Sequence, residues 1–112
     1  WLSRIIYAES GNQPLDGKIA VGNVVLNRVA SPRFPNSVYE VIFQRNQFTP
    51  AANGSINRTP SAESVVAAKL CLDGANTAGS ALYFVNPTVA PGSWASRNRP
   101  YVATIGAHAF YG

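Results

Sequence analysis

The residue with the clearest potential for chemistry is Glu9, which extends an apolar helical stripe. Positions 2, 5, 6 and 9 fall on one helical face, and the first three are Leu2, Ile5 and Ile6. Glu9 also lies in the last helical turn, where the helix dipole disfavours negative charge. Partial burial and the dipole both raise a carboxyl pKa, as a general acid requires near neutral pH. The alternative is an ordinary helix-end glutamate that reaches solvent.

The other four acidic residues fit structural roles. Asp16 and Glu63 belong to first helical turns, where a carboxylate complements the helix dipole. Glu40 lies away from the apolar positions of a short helix, and Asp73 precedes a helix-ending glycine. Glycosidases with two catalytic carboxylates hold them roughly 5–10 Å apart. Because no second carboxylate is evident, the sequence favours a mechanism in which the substrate supplies the nucleophile.

The chain has one cysteine and one histidine. A zinc site takes three or four His, Cys or carboxylate ligands, so we expect neither a metal nor a cofactor. Cys71 lies in the middle of a helix rather than at an N-terminus that would lower its pKa, which predicts a buried, inert thiol. His108 is either a hydrogen-bonded structural residue or a residue of a substrate cleft.

Composition narrows the function classes. Only 12% of the 112 residues are charged, about half the usual share, so amides and hydroxyls must supply much of the surface, which suits sugars. The net charge of +4 favours polyanions, but the arginines are scattered and form no run, which argues against nucleic acid. No apolar segment is long enough to span a bilayer.

Helices dominate the first two thirds of the chain. The spacing predicts helices over residues 1–10 and 15–30, the second apolar on most sides and therefore central. Gly22 within it suggests a close backbone crossing. Ser37 is a candidate N-cap for a short helix to about Gln44. Residues 47–60 read as a polar loop, after which a helix capped by Thr59 runs to Asp73.

Strands are expected only near the C-terminus. Residues 81–86, 101–105 and 108–111 have strand composition, with a loop over 87–100 that carries Trp94. Alternation along the first strand places Phe84 and Asn86 on one face. Helices followed by strands indicate an α+β fold with a small antiparallel sheet in one domain, residues 1–112.

Six segments together resemble the SleB-type cell-wall hydrolases, whose members include spore-cortex-lytic enzymes. They are RIIYAES at 4–10, DGKIAVGNVVLNRV at 16–29, SPRFPNSVYEVI at 31–42, QFTP at 47–50, ALYFVNP at 81–87 and IGAHAFYG at 105–112. The resemblance covers nearly the whole chain in order. It implies a fold like that of lysozymes and lytic transglycosylases, with a cleft between a helical lobe and a small sheet.

The same resemblance implies the chemistry. The family's catalytic glutamate falls on Glu9, and the expected reaction is cleavage between N-acetylmuramic acid and N-acetylglucosamine, giving 1,6-anhydromuramic ends or, by hydrolysis, reducing ends. A second family glutamate is replaced here by Gln13. Since an amide is no proton donor or acceptor for this reaction, the replacement further favours Glu9. A non-catalytic peptidoglycan-binding module is the alternative.

Substrate contacts and setting are also implied by the family. Gln47, Tyr83, Asn86 and His108 occupy matching motif positions and are candidate substrate contacts, although each also fits a structural role. The expected partner is the peptidoglycan glycan strand, in spore cortex or cell wall. We expect a monomeric catalytic domain of a longer secreted protein in the cell envelope, with a regulatory partner protein as a further candidate.

Overall fold

The computed structural model describes all 112 residues, as six α-helices, one 3-10 turn and three β-strands. The helices are α1 (Leu2–Ser10), α2 (Leu15–Ala30), α3 (Val38–Ile42), α4 (Thr49–Asn53), α5 (Ala62–Leu72) and α6 (Trp94–Asn98). The 3-10 turn is Ser55–Asn57, and the strands are β1 (Tyr83–Val85), β2 (Tyr101–Ile105) and β3 (His108–Tyr111).

The three strands form one antiparallel sheet with β3 in the middle, in the order β1-β3-β2. Phe84 of β1 pairs with Phe110, and Ile105 of β2 pairs with His108. Between β2 and β3, Gly106 adopts a φ of +58°, a left-handed turn conformation that glycine reaches without steric cost. Helices followed by a small antiparallel sheet confirm the predicted α+β class.

The core is built around α2, which is buried continuously from Gly17 to Val25 between α1 and α5. Gly22 allows this packing, since a Cβ there would lie 2.6 Å from Cys71 Sγ and 3.0 Å from Ile6 Cδ1. The expected close approach at Gly22 is present, but side chains of the two flanking helices make it rather than backbone. No helix of the structure has both the length and the apolar character required to cross a membrane.

Boundaries differ from the predictions where local capping decides them. The Oγ of Ser61 accepts a hydrogen bond from the Ser64 amide at 3.2 Å, so Ser61 caps α5 and the predicted cap at Thr59 was wrong. The cap predicted at Ser37 is confirmed, with the Glu40 amide 3.1 Å from its Oγ, but α3 ends two residues early at Ile42.

Both predicted long loops contain short helices. The segment 47–60 includes α4 and the 3-10 turn, and the segment 87–100 includes α6. In the second case Ser93 Oγ accepts from the Ser96 amide at 3.3 Å, which caps the helix that carries Trp94. Helices of five residues are too short to leave an apolar period in the sequence, which explains the error.

Candidate active site

Glu9 projects from the last turn of α1, at the position predicted from the apolar stripe. Leu2, Ile5 and Ile6 of the same face are buried, and they anchor the helix against the core. Glu9 itself is half-buried. The helix therefore holds the carboxyl at the edge of the apolar core rather than in bulk solvent.

A cavity of about 490 Å³ opens beside this carboxyl. We call it the Glu9 cavity, and its lining residues are Tyr7, Ala8, Glu9, Gly11, Asn12, Ser55 and Arg58. One wall is the end of α1 and the turn after it, and the other comes from the 3-10 turn and the residue that follows. This volume lies within the range of small-molecule sites, roughly 300–1,000 Å³.

The carboxyl of Glu9 has no charged or hydrogen-bonding partner in the protein. The one ion pair of the structure joins Lys18 Nζ to Glu63 Oε1 at 2.6 Å, and Arg58 lies outside ion-pair distance of Glu9. Burial raises the pKa of Glu9 above its ordinary value because the charged form loses hydration. A carboxyl that keeps its proton to higher pH and faces a cavity can donate that proton to a bound ligand.

None of the other four carboxylates lines the Glu9 cavity. Glu63 is engaged by Lys18, and Glu40 accepts a hydrogen bond from Ser37 Oγ at 3.1 Å. No three His, Cys, Asp or Glu side chains come together as a ligand set for a metal ion. Glu9 is thus the single carboxyl at this cavity.

Relatives of known kind match almost the whole chain. Residues 12–111 match the Cell Wall Hydrolase family. The chain belongs to this family. The spore cortex-lytic enzyme of Bacillus cereus is 39% identical over 109 residues, and that of Bacillus subtilis is 38% identical over the same length. These matches cover 97% of the chain but only 42% and 35% of the two relatives, so the chain spans less than half of their length.

Two solved structures share the fold of this family member. The catalytic domain of the germination-specific lytic transglycosylase SleB from Bacillus anthracis superposes with a TM-score of 0.91 at 39% identity, covering 99% of this chain and 90% of that one. The catalytic domain of SleB from Bacillus cereus gives a TM-score of 0.90, also at 39% identity, over 99% and 86% of the two chains. The predicted family and architecture are confirmed.

The four predicted substrate contacts do not share one site, and none lines the Glu9 cavity. The structure brings Gln47 and Tyr83 together at Arg28, which donates to Gln47 Oε1 at 3.1 Å and lies 5.3 Å from the Tyr83 ring centre. Asn86 caps a turn, because its Oδ1 accepts from the Thr88 amide at 3.0 Å. The proposed substrate contacts of Gln47, Tyr83 and Asn86 stay predictions.

His108 lies on the core side of the sheet and is only 7% exposed. The rings of Phe84 and Phe110 flank it, with centroids 5.3 and 6.4 Å from the imidazole. Burial lowers the pKa of His108, and its buried Nδ1 has no hydrogen-bond partner. This setting favours the structural alternative over a direct substrate contact.

Cys71 is the buried thiol that its mid-helix position predicted. Burial raises its pKa to about 11, and its Sγ donates to the Ile19 carbonyl at 3.3 Å. A thiol held in this state supplies almost no thiolate at neutral pH. Cys71 is therefore a packing residue between α5 and α2.

Gln13, where the family resemblance implies a glutamate, has a structural contact. Its Oε1 accepts a hydrogen bond from the Ala107 amide at 2.9 Å, and its Nε2 donates to Asn12 Oδ1 at 3.1 Å. The first bond joins the turn between α1 and α2 to the turn between β2 and β3. A glutamate would retain that acceptor, so the substitution preserves the link.

Sequence reasoning named Tyr83 but missed the group of cationic and aromatic residues that surrounds it at the start of the sheet. We call it the Tyr83 cluster, and its members are Arg28, Arg33, Phe34, Tyr83, Trp94 and Arg99. These residues come from three separated segments of the chain. The arginines gave no distinct signal, because an arginine at the end of the central helix is indistinguishable in sequence from an ordinary helix-end cation.

Proposed function

We propose that this protein cleaves the glycan strands of peptidoglycan between N-acetylmuramic acid and N-acetylglucosamine, with Glu9 as the acid. The observation that carries the proposal is the half-buried, unpaired carboxyl of Glu9 at the wall of the Glu9 cavity. The names of the relatives, a spore cortex-lytic enzyme and a lytic transglycosylase, support glycan-strand cleavage as the reaction.

The reaction needs one carboxyl. The protonated Glu9 donates its proton to the glycosidic oxygen as the bond from that oxygen to C1 of muramic acid breaks, leaving an oxocarbenium-like centre at C1. The resulting carboxylate then accepts the proton of the muramic C6 hydroxyl, whose oxygen bonds to C1. The products are a 1,6-anhydro end and a free hydroxyl on the departing sugar, and Glu9 regains its proton.

The position of Glu9 suits both halves of this cycle. Partial burial favours the neutral acid before bond cleavage, while the contact with the cavity leaves the carboxylate able to accept a proton afterwards. Hydrolysis differs only in the second step, where water replaces the C6 hydroxyl and gives a reducing end. We propose the anhydro product because it requires no second carboxylate, and Glu9 is the single one at the cavity.

The experiment is a Glu9→Gln variant assayed for release of soluble muropeptides from purified peptidoglycan. General acid catalysis contributes about 10²–10⁴-fold, and we expect a loss of about 10³-fold with the fold retained by circular dichroism. Glu40→Gln is the matched control, because it removes an exposed carboxylate outside the cavity. Mass spectrometry of wild-type products separates the two chemistries: anhydro ends mean transglycosylation, and reducing muramic acid means hydrolysis. Full activity in Glu9→Gln contradicts both.

A non-catalytic peptidoglycan-binding role is the second candidate, and the presence of Gln13 in place of a family glutamate favours it. It predicts that the wild type is retained on wall material without releasing muropeptides over hours. The Ala107 amide donates a hydrogen bond to Gln13, which gives this residue a structural role. The absence of a glutamate at this position is therefore weaker support for a non-catalytic protein.

The setting of this activity is proposed on the same grounds. A domain that acts on glycan strands works in the cell envelope, on spore cortex or vegetative wall, and we propose that it reaches that location by secretion. We further propose that it acts as a monomer and that a partner protein regulates it in the cell. Side-by-side digestion of cortex and vegetative peptidoglycan, with products identified by mass, distinguishes the two substrates.

A further inference from the structure

Three arginines surround one tyrosine ring in the Tyr83 cluster, and none of them forms an ion pair with an acidic residue. The guanidinium carbons of Arg28 and Arg99 lie 5.3 and 5.7 Å from the Tyr83 ring centre, and Arg33 Nη2 donates to the Tyr83 hydroxyl at 3.1 Å. The one ion pair of the protein lies elsewhere. Like charges held together without a counter-charge disfavour the ligand-free state and favour an anion.

Arg28 is the fixed member of this group, with only 4% of the residue exposed. Its Nε donates to the Leu82 carbonyl at 2.7 Å and its Nη1 to Gln47 Oε1 at 3.1 Å, and both acceptors are neutral. Its Nη2 donates to no protein group. This nitrogen is not among the fully buried side-chain atoms that lack a partner, which are Gln44 Oε1 and His108 Nδ1. One terminal nitrogen of this immobilised guanidinium therefore reaches the surface.

Burial lowers the pKa of Arg28 to about 10, so the side chain is still cationic at neutral pH. The rings of Phe34 and Phe48 flank it at 4.8 and 5.3 Å, which fixes its plane. A guanidinium whose plane is set in advance loses less entropy when it binds an anion than a mobile side chain does.

The other two arginines keep free donors beside it. Arg99 uses Nε to donate to the Gly112 carbonyl at 2.8 Å, and neither of its terminal nitrogens has a protein acceptor. Arg33 is exposed and uses only Nη2. Next to them Trp94, 54% exposed, packs edge-on against Tyr83 with ring centroids 5.5 Å apart and presents an aromatic surface to solvent.

We propose that the Tyr83 cluster is an anion-binding subsite that holds a negatively charged side group of the wall polymer while an adjacent sugar stacks on Trp94. The ligand chemistry is an anionic oxygen group, such as the carboxylates of stem peptides or the phosphodiesters of attached wall polymers. Guanidinium groups bind both carboxylates and phosphates through paired hydrogen bonds. This inference rests on the proposed function for its substrate class, and the cluster shares no residue with the Glu9 cavity, so it binds without taking part in bond cleavage.

The test measures binding in a Glu9→Gln background, so that cleavage does not remove the polymer. The variant is Arg33→Gln/Arg99→Gln, and the control Arg45→Gln/Lys69→Gln removes the same two positive charges at exposed positions outside the cluster. Sedimentation gives Kd on three materials: intact wall, wall stripped of phosphodiester polymers by hydrofluoric acid, and stripped wall whose carboxylates are converted to neutral amides with carbodiimide and ethanolamine. Melting temperatures establish that every variant is folded.

We expect Kd on stripped wall to rise about tenfold for the cluster variant and less than about twofold for the control, with no difference on the carboxyl-capped wall. Arg33→Gln alone, which disturbs no backbone contact, is expected to raise Kd about threefold. A loss confined to intact wall also supports the anion subsite and identifies phosphodiesters as its source.

Unchanged binding of the cluster variant overturns the subsite, as does an equal loss on the carboxyl-capped wall or in the control. The proposed function is tested separately, by muropeptide release with Glu9 intact. Active wild-type enzyme with unchanged binding in the cluster variant rejects the subsite alone. Absence of muropeptide release by the wild type rejects the catalytic role, whatever the arginines bind.

Discussion

The Glu9 cavity and the Tyr83 cluster are electrostatic opposites. The first presents a half-buried carboxyl with no cation paired to it, and the second presents three guanidinium groups with no carboxylate. Elsewhere the protein neutralises a buried charge in the usual way, with Lys18 paired to Glu63. Unpaired charges in two separate regions fit the two tasks that we propose for them, proton transfer at the Glu9 cavity and substrate binding at the Tyr83 cluster.

One helix connects these two regions. Its first residue, Leu15, follows the turn that lines the Glu9 cavity, and Arg28 in its last turn belongs to the Tyr83 cluster. At 1.5 Å per residue the helix separates these two residues by about 20 Å. Because α2 is the buried centre of the core, it holds both regions rigidly, and each can be altered without the other.

Removing the aromatic surface of the Tyr83 cluster should affect binding only. For Trp94→Ala we expect KM for a soluble glycan oligosaccharide to rise about tenfold, since aromatic stacking contributes roughly 0.5–1.5 kcal/mol beyond its buried area. We expect kcat to be unchanged, because Trp94 does not line the Glu9 cavity. Steady-state kinetics check this, with exposed Tyr39→Ala as the control; a fall in kcat without a change in KM would remove the division between the regions.

Removing the charge of the Glu9 cavity should stabilise the protein while inactivating it. The folded state raises the pKa of Glu9, so the folded protein binds more protons than the unfolded chain, and stability falls as pH rises through this range. Glu9→Gln lacks this cost, and we expect its Tm to exceed that of the wild type by a few degrees at pH 7.

The advantage of Glu9→Gln should vanish below the carboxyl pKa of the unfolded chain, about pH 4, where both states are protonated. Differential scanning calorimetry at pH 7 and near pH 3.5 measures the difference. Glu40→Gln, which removes an exposed carboxylate outside the cavity, is the control for the loss of one negative charge. A Glu9→Gln variant less stable than the wild type at pH 7 would mean that a favourable contact stabilises the charged carboxylate in the folded protein.

Gln13→Glu should have the smallest effect of the series. The new carboxylate keeps an oxygen for the Ala107 amide, so we expect muropeptide release within about twofold of the wild type. Gln13→Ala loses that bond and should cost about 1 kcal/mol of unfolding free energy without changing the products. A gain of tenfold or more in Gln13→Glu would show that two carboxyls act together, against a mechanism with one.

The sequence predicted the features that long periodic segments encode. The apolar face of α1 located Glu9, and the apolar character of α2 identified the central helix. In each helix several residues together define which side is buried. The strands were recognised from their β-branched and aromatic residues. Capping was predictable only where one candidate stood alone, as at Ser37.

The walls of both regions escaped prediction, because residues distant in sequence form them. Ser55 and Arg58 reach the Glu9 cavity through a segment predicted to be a loop, and nothing in its composition indicates where it folds. Likewise, Arg28 meets Tyr83 across more than fifty positions of sequence. Such contacts depend on how α2 and the sheet pack, which local propensity does not specify.

An NMR titration of the glutamate side chains measures the protonation of Glu9 itself. The chain has three glutamates, so ¹³C-labelled glutamate gives three carboxyl signals, and the Glu9→Gln variant assigns the one that matters. We expect Glu9 to titrate above the ordinary range of a glutamate side chain, and muropeptide release to decline as Glu9 loses its proton. A Glu9 signal that titrates within the ordinary range would rule out the buried acid that the proposed mechanism requires.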